Sequence, residues 1–159
     1  NDPTHPAISY MSNFSGKFYI GGGIEKIALP NHYDFKKYRL SPETVKTKFK
    51  EMGWEKVVAF QTRNPMHRAH VEMTLRSMRK LDANVLLLPV VGLTKQGDVD
   101  HFTRVRCYEH VMSKYPKDSA ILGLLPLAMR MGGPKEALLH AIIRKNFGCT
   151  HIILSLIHI

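Results

Sequence analysis

Seven polar side chains follow a short apolar run within ten residues, in the segment QTRNPMHRAH that comes directly after Phe60. Besides Arg68, they are two amides, a hydroxyl, a guanidinium and two imidazoles: Gln61, Thr62, Arg63, Asn64, His67 and His70. A guanidinium offers a planar fork of donors that suits a tetrahedral oxyanion, and the amides and imidazoles add further donors. Both cysteines of the chain lie outside this segment. Its chemistry therefore favours the stabilisation of negative charge without a covalent nucleophile.

The expected position of this segment explains why the donors gather there. Residues 57–60 form an apolar run typical of a buried strand, and Pro65 suits the first turn of a helix predicted over 65–80. Ligands of open parallel sheets bind beyond the carboxyl ends of the strands, and helix N-termini attract anions. His67 and His70 are three residues apart, so we expect them to project from one face of the first turns. Residues 61–64 are thus predicted to form an anion-binding loop.

Two other interpretations apply to His67 and His70. They would suit a metal site only with further ligands, but no third ligand lies at a familiar spacing and the motif differs from H-E-x-x-H. No protein-bound metal is therefore predicted. They could also be ordinary surface histidines of a helix, which the adjoining Arg63, Asn64 and Pro65 make less favourable.

The rest of the chain alternates strands with helices. Ser41 and Pro42 have the residue types of an N-cap and a first helical position, and this helix should end near Gly53. The further predicted strands are 84–91, 119–125 and 151–154, and the further predicted helices are 103–115 and 134–146. The stripes at helical spacing are Val105, Tyr108, Val111, Met112 and Tyr115 in the first of these helices, and Ala137, Leu138, Ala141, Ile142 and Lys145 in the second. This order predicts an α/β fold with a parallel sheet and helices on both faces.

Residues 17–29, KFYIGGGIEKIAL, precede this alternating part. Their three glycines lack the spacing and the following helix of a dinucleotide-binding loop, so a tight β-hairpin is favoured. Residues 29–40 have no clear period and are interpreted as a linker.

Composition narrows the class of partner. The chain of 159 residues is 44% hydrophobic, which is enough for a folded domain. No apolar run reaches the roughly 18 residues of a membrane helix. The net charge of +10 favours anionic partners, yet the basic residues are scattered and do not predict a nucleic-acid surface. Two lone thiols, Cys107 and Cys149, indicate a reduced, cytoplasmic protein.

The segment QTRNPMHRAH resembles the signature of the ATP sulfurylases (sulfate adenylyltransferases), and it is similar to the nucleotide-binding motif of the wider nucleotidyltransferase superfamily. Three other blocks resemble that family in the same order, up to about Ile153: HYDFKKYRLSPETVK, PVVGLTKQGDVDHFTRVRCYE and LGLLPLAMRMGGPKEALLHAIIRKNFGCTHIIL. The resemblance implies a Rossmann-like nucleotidyltransferase domain over residues 46–153, which would be incomplete. It also implies that residues 1–45 are the last part and linker of a β-rich PUA-like domain.

The resemblance further implies that the enzyme joins sulfate to the α-phosphate of MgATP, giving adenosine 5′-phosphosulfate and pyrophosphate, or runs in reverse. The residues that resemble the family's site are Gln61 and Arg63 for sulfate, Thr62, Arg63 and Asn64 for catalysis, and His67 and His70 for the ATP phosphates and the transition state. All six are expected to contact ATP, and Mg²⁺ is expected to arrive with the nucleotide. A cytoplasmic homo-oligomer that binds neither nucleic acid nor membrane is expected.

The two ends of the chain depart from the family pattern. After the strand that begins at His151, the family continues with Gly-Arg-Asp-His, whereas this chain reads SLIHI. Residues 154–159 are therefore interpreted as a non-native tail, and the chain, which begins without Met, as a fragment that is inactive alone. Two alternatives stay open, namely a nucleotidyltransferase with another acceptor and a non-catalytic module that binds anions or nucleic acid.

Overall fold

The computed structural model describes residues 4–28, 30–92, 97–130 and 132–154, which divide into two compact units, Asn1–Lys36 and Lys37–Ile159. The described part of the first unit contains helix α1 (Pro6–Phe14), in which the rings of Tyr10 and Phe14 lie 5.4 Å apart. The predicted hairpin is wrong for the described residues, because no strand occurs between positions 15 and 28. Apolar side chains there, such as Tyr19 and Ile20, are almost fully exposed. A hairpin with no packing partner is at best marginally stable in water.

The second unit contains a parallel sheet of four strands. The strands are β1 (Val57–Phe60), β2 (Asn84–Leu87), β3 (Ala120–Leu122) and β4 (His151–Ile153). They lie in the order β3-β2-β1-β4, so that Phe60 at the end of β1 pairs with Leu87 on one side and Ile153 on the other. The predicted parallel sheet is confirmed, and β1 occupies an interior position in which all four residues are buried.

Strands β2 and β3 are shorter than predicted because their ladder is interrupted. Pro89 carries no N–H and cannot donate to a neighbouring strand. Its carbonyl still accepts from the N–H of Leu125 at 2.9 Å, and Val90 forms an isolated parallel bridge with Leu125. The chain therefore continues beside β3 beyond the strand end, which keeps the loops at the carboxyl edge close together.

Helices cover both faces of the sheet. They are α2 (Pro42–Glu51), α3 (Arg68–Leu81), α4 (His101–Met112) and α5 (Pro134–Asn146). Val57 and Ala59 of β1 pack in one cluster with Val45 and Phe49 of α2. The alternate residue Phe60 contacts α3, where the ring of His70 lies 5.7 Å away. Side chains of a strand alternate between faces, so these contacts place α2 and α3 on opposite sides, as predicted.

Local capping explains where the helices begin. The hydroxyl of Ser41 accepts from the N–H of Thr44 at 3.1 Å, which confirms the predicted start of α2. Helix α3 begins at Arg68, three residues later than predicted, and its N-cap is His67. The reason is local: the hydroxyl of Thr62 holds the backbone of Asn64 in a turn, and such side-chain bonds compete with the helix.

The buried stripe of α5 also differs from the prediction. Leu138 and Ile142 are 62% and 48% exposed, whereas His140 and Arg144 are both 1% exposed. Polar residues occupy the inward face because other parts of the second unit satisfy their hydrogen bonds. The predicted stripe is confirmed at Val105, Tyr108 and Val111 in α4 and at Tyr115 just after it, whereas Met112 is only half-buried; Arg104 joins the buried face.

Among the described residues, no helix combines the length and apolar character that crossing a bilayer requires.

Gly92 marks a close backbone approach at the carboxyl edge of the sheet. A Cβ atom at this position would lie 2.5 Å from the carbonyl oxygen of Leu127 and 2.9 Å from the backbone N of Ala128. We expect Gly92→Ala to lower the free energy of unfolding by about 1–3 kcal/mol, the usual cost of overpacking. Thermal unfolding followed by circular dichroism should then show a lower Tm, by roughly 2–4 °C per kcal/mol.

The matched control is Gly21→Ala. Gly21 has open space around a new Cβ and does not adopt a positive φ. Its replacement should leave the Tm unchanged or slightly raised. Equal melting temperatures for the two variants would contradict the packing that is described for Gly92.

Candidate anion-binding site

The loop that follows β1 is partly buried and irregular. Gln61 and Thr62 are each 8% exposed, Arg63 is half-buried and Asn64 is exposed. The hydroxyl of Thr62 lies 3.0 Å from both the N and the O of Asn64. The N–H of Val90 donates to the carbonyl of Thr62 at 3.0 Å. The loop therefore remains hydrogen-bonded to the segment that follows β2, although β1 has ended at Phe60.

Two side chains of α4 hold the loop from within the structure. Arg104 is 3% exposed, and its Nη1 donates to the carbonyls of Arg63 at 2.8 Å and Val90 at 3.2 Å. The hydroxyl of Tyr108 donates to the carbonyl of Asn64 at 2.9 Å. Burial raises the pKa of Tyr108, so its phenol stays protonated and remains a donor. The backbone carbonyls of the loop are thus directed inward, toward α4.

Arg63 is anchored by an acidic side chain. Its Nη1 contacts the Oδ2 of Asp98 at 2.5 Å, and the two side chains are only 15% and 12% exposed. A guanidinium has five N–H donors, and this contact engages one edge of the fork. Within the described ranges, Arg63 has no other hydrogen-bonded side chain. Asp98 therefore fixes the direction of the guanidinium while the remaining donors can face an anion.

The two histidines adopt different environments at the start of α3. The backbone N–H of His67 donates to the Nδ1 of His70 at 3.1 Å, and the two rings lie 5.6 Å apart. Burial, and then the neighbouring charge of His67, lower the pKa of His70. His70 is therefore neutral at pH 7 and, because Nδ1 accepts, carries its hydrogen on Nε2. The ring of His67 is exposed.

Gln61 lies against a buried polar pair of α5. Its amide nitrogen is 3.3 Å from the Nε2 of His140. The Nδ1 of His140 lies 2.8 Å from the Nη1 of Arg144, whose Nη2 donates to the carbonyl of Leu88 at 3.0 Å. Burial lowers the pKa of Arg144 to about 10, which leaves the guanidinium charged at neutral pH. A second buried cation thus stands behind the loop.

The structure brings together all six residues that the sequence singled out. Four of them form the loop after β1, and the other two form the N-cap and first turn of α3. Sequence reasoning missed Asp98, Arg104, His140 and Arg144. A signal was present, because Arg104 shares helical spacing with Tyr108 and the buried stripe of α4, and a charged residue on such a stripe needs buried partners.

The site offers donors of positive or neutral character and no activated thiol. Burial raises the pKa of Cys149 to about 12, so it remains a thiol at neutral pH. In the parts of the chain that the structure describes, no group of three or more His, Cys, Asp or Glu side chains is placed to hold a metal ion. The arrangement is suited to binding an oxyanion and to stabilising charge as it moves.

Known proteins resemble this chain over nearly its whole length. It is 58% identical over 157 residues to a sulfate adenylyltransferase of Yarrowia lipolytica, covering 99% of this chain and 27% of that protein. It is 55% identical to the sulfate adenylyltransferase of Saccharomyces cerevisiae, covering 99% of this chain and 31% of that protein. The chain therefore spans less than a third of these relatives.

A solved structure shares the fold of most of this chain. A hexameric APS kinase from Thiobacillus denitrificans superposes with a TM-score of 0.74 and 36% sequence identity, over 80% of this chain and 26% of that one. The profile of the ATP-sulfurylase family matches residues 36–158, which include the whole sheet, the loop after β1 and both histidines. The chain belongs to the ATP-sulfurylase family.

Proposed function

We propose that the protein containing this chain is a sulfate adenylyltransferase, which transfers the AMP moiety of MgATP to sulfate. The observation that carries this proposal is the loop after β1. Its backbone carbonyls are bound from within by Arg104 and Tyr108, while its own side chains include an anchored guanidinium. Family membership supports the same reaction, since the relatives compared above are sulfate adenylyltransferases.

The reaction depends on the stabilisation of negative charge and needs no covalent intermediate with the enzyme. An oxygen of sulfate attacks the α-phosphorus of ATP and forms a new P–O–S linkage. The bond between the α-phosphorus and the bridging oxygen breaks, and pyrophosphate leaves with the electron pair. Both reactants are anions, so a site must offset their repulsion, align the attack and stabilise the departing pyrophosphate.

Sulfate is assigned to Gln61 and Arg63. The guanidinium of Arg63 supplies the charge, and Asp98 keeps it directed into the loop. The Asp98 carboxylate also neutralises part of that charge. Such balance favours a site that binds sulfate reversibly and releases the charged product. Arg104 and Arg144 add positive potential from beneath the loop.

ATP is assigned to the loop and the two histidines. Thr62, Arg63 and Asn64 face the reacting phosphate in this assignment, and His67 and His70 bind the phosphates that leave as pyrophosphate. The Nε2–H of His70 supplies a neutral donor, because its Nδ1 is occupied by the N-cap of α3. Mg²⁺ enters as part of the nucleotide substrate, and no side chain of the chain is assigned to it.

The wider context is part of the same proposal. Residues 46–153 belong to the catalytic domain, and residues 1–45 to the end of a β-rich PUA-like domain with its linker. Residues 154–159 are interpreted as a non-native tail, and all of them except Leu154 lie outside the described residues. We further propose that the full-length protein is a cytoplasmic homo-oligomer whose partners are its small-molecule substrates, with no nucleic acid or membrane involved.

Arg63→Ala tests the sulfate assignment in the full-length protein. A hydrogen bond to a charged group contributes about 1.5–3 kcal/mol, so kcat/KM for sulfate should fall by at least about tenfold. Arg63→Lys should restore little of this loss, because lysine lacks the planar fork. The measurement is sulfate-dependent release of pyrophosphate at varied sulfate concentration.

The matched control is Arg76→Ala on the exposed surface of α3. The Arg76 side chain is 77% exposed and pairs with Glu72, so its loss should leave the sulfate kinetics unchanged. Unchanged kinetics in Arg63→Ala as well would refute the assignment. Pyrophosphate release without any dependence on sulfate would indicate another acceptor, and oligonucleotide binding with a steep salt dependence and no turnover would indicate a binding module.

His67→Asn and His70→Asn test the role of the two imidazoles. Loss of a donor that acts on developing charge should lower kcat by roughly 10²–10³. Asparagine at position 70 can place its carbonyl oxygen near the former Nδ1 and keep the hydrogen bond from the N–H of His67. His67 is exposed and the cap is kept in His70→Asn, so neither variant should lower the Tm.

His70→Ala provides the comparison, because it loses both the donor and the cap. It should lower kcat to a similar degree and also reduce stability by about 1 kcal/mol, the usual value of a cap. The prediction fails if the asparagine variants melt at lower temperature while kcat stays intact, since the histidines would then serve the fold alone.

A further inference from the structure

Arg144 is a buried cation whose hydrogen bonds go to neutral groups. It is 1% exposed, and its guanidinium contacts the carbonyl of Leu88, the carbonyl of His140 and the Nδ1 of His140. Among the described residues, no carboxylate lies within ion-pair distance of it. Buried charges are normally paired with opposite charge, so the surroundings of Arg144 are unusual.

The contact with Arg144 determines the hydrogen position on His140. A guanidinium only donates hydrogen bonds, so the Nδ1 of His140, 2.8 Å from Nη1, must accept. A neutral imidazole whose Nδ1 accepts carries its hydrogen on Nε2. His140 therefore presents an N–H donor on the side away from Arg144.

The donor of His140 faces the side chain of Gln61. The Nε2 of His140 lies 3.3 Å from the end of the Gln61 amide and 3.7 Å from the Oε1 of Glu136. Two N–H groups cannot bond to each other, so the favourable orientation of Gln61 directs its carbonyl oxygen to His140. The NH₂ group of the amide is then directed away from α5.

We infer that His140 is a positioning residue for Gln61, and that Arg144 enforces the tautomer which turns the Gln61 NH₂ group toward a bound oxyanion. An amide presented the other way would offer its oxygen to the anion and repel it. The inference rests on the proposed function only for the identity of the anion as sulfate. Arg144, His140 and Gln61 form one relay, meaning a continuous series of hydrogen bonds from the interior to the loop. Its last bond, between His140 and Gln61, joins residues 79 positions apart.

Glu136 extends the relay to the start of α5. Its Oε1 accepts from the N–H of Arg130 and its Oε2 from the N–H of Gly132, both at 2.7 Å. Glu136, His140 and Arg144 are spaced by four residues and therefore lie along one face of the helix. Glu136 thus lies beside the Nε2 edge of the His140 ring, and Arg144 bonds to its Nδ1.

The test compares His140→Leu with His140→Gln in the full-length protein. Leucine removes the donor, whereas the amide of glutamine reaches about as far as Nε2 and can donate to Gln61. We expect the KM for sulfate to rise at least about tenfold in His140→Leu, with a clearly smaller rise in the KM for MgATP, and to recover largely in His140→Gln. In a Gln61→Ala background, His140→Leu should cause little further change, because it acts through Gln61.

Thr74→Val is the control for a general loss of stability. This variant removes a buried hydrogen bond to Tyr115 on the other face of the sheet, 2.6 Å long, and should lower the Tm without altering the KM for sulfate. An unchanged KM for sulfate in His140→Leu overturns the inference. So does an equal rise in the KM values for sulfate and MgATP, or full additivity with Gln61→Ala.

Direct binding distinguishes this inference from the proposed function. Sulfate should raise the Tm of the wild-type protein in the presence of α,β-methylene-ATP, which cannot be cleaved between the α- and β-phosphates. The rise should disappear in His140→Leu and persist in His140→Gln. That pattern without any sulfate-dependent turnover would sustain the positioning role and refute the adenylyltransferase activity. Sulfate-dependent turnover with an equal sulfate-induced rise in Tm in both variants would instead support the adenylyltransferase activity and refute the positioning role.

Discussion

Two hydrogen bonds from α4 to the carbonyls of Arg63 and Asn64 determine the form of the candidate site. The loop after β1 is irregular and partly buried, so its backbone groups cannot be satisfied by a ladder and need other partners. Arg104 and Tyr108 supply them, and Arg104 also binds the carbonyl of Val90. The same guanidinium thus joins the ends of two neighbouring strands. With the carbonyls directed inward, the side chains of the loop are left to define its outer surface.

The distribution of charge follows from this arrangement. Arg104 and Arg144 are both buried behind the loop and donate to neutral oxygen or nitrogen atoms, so both add positive potential behind the loop. Arg63 differs, because Asp98 pairs with it. The site therefore combines two fixed interior charges with one balanced charge at the surface. Salt screens such buried charges less than it would screen exposed lysines.

Features that depend on local sequence were predictable, whereas those that depend on distant partners were not. The apolar run of β1 and the Ser41-Pro42 start of α2 carry their own signals, and both are confirmed. The start of α3 was placed too early because the turn made by Thr62 outweighs the preference of Pro65 for a first helical turn. The contact between His140 and Gln61 could not be predicted from local sequence, because the two residues lie 79 positions apart. Leu138 looked like a core residue by spacing alone, yet it is exposed.

The interior position of β1 also has a consequence for the order in which the fold assembles. Its neighbour β4 comes last in the described chain, and the N–H of Val57 is bound by the hydroxyl of Thr150, 93 residues away. Parallel pairing over such a distance requires closure of a long loop and is slow compared with local contacts. The loop after β1 is synthesised early, but its supports on α4 and α5 are synthesised later. The loop after β1 therefore gains its supports only after α4 and α5 have been synthesised and packed, and a ligand bound at this edge of the sheet would stabilise the folded state.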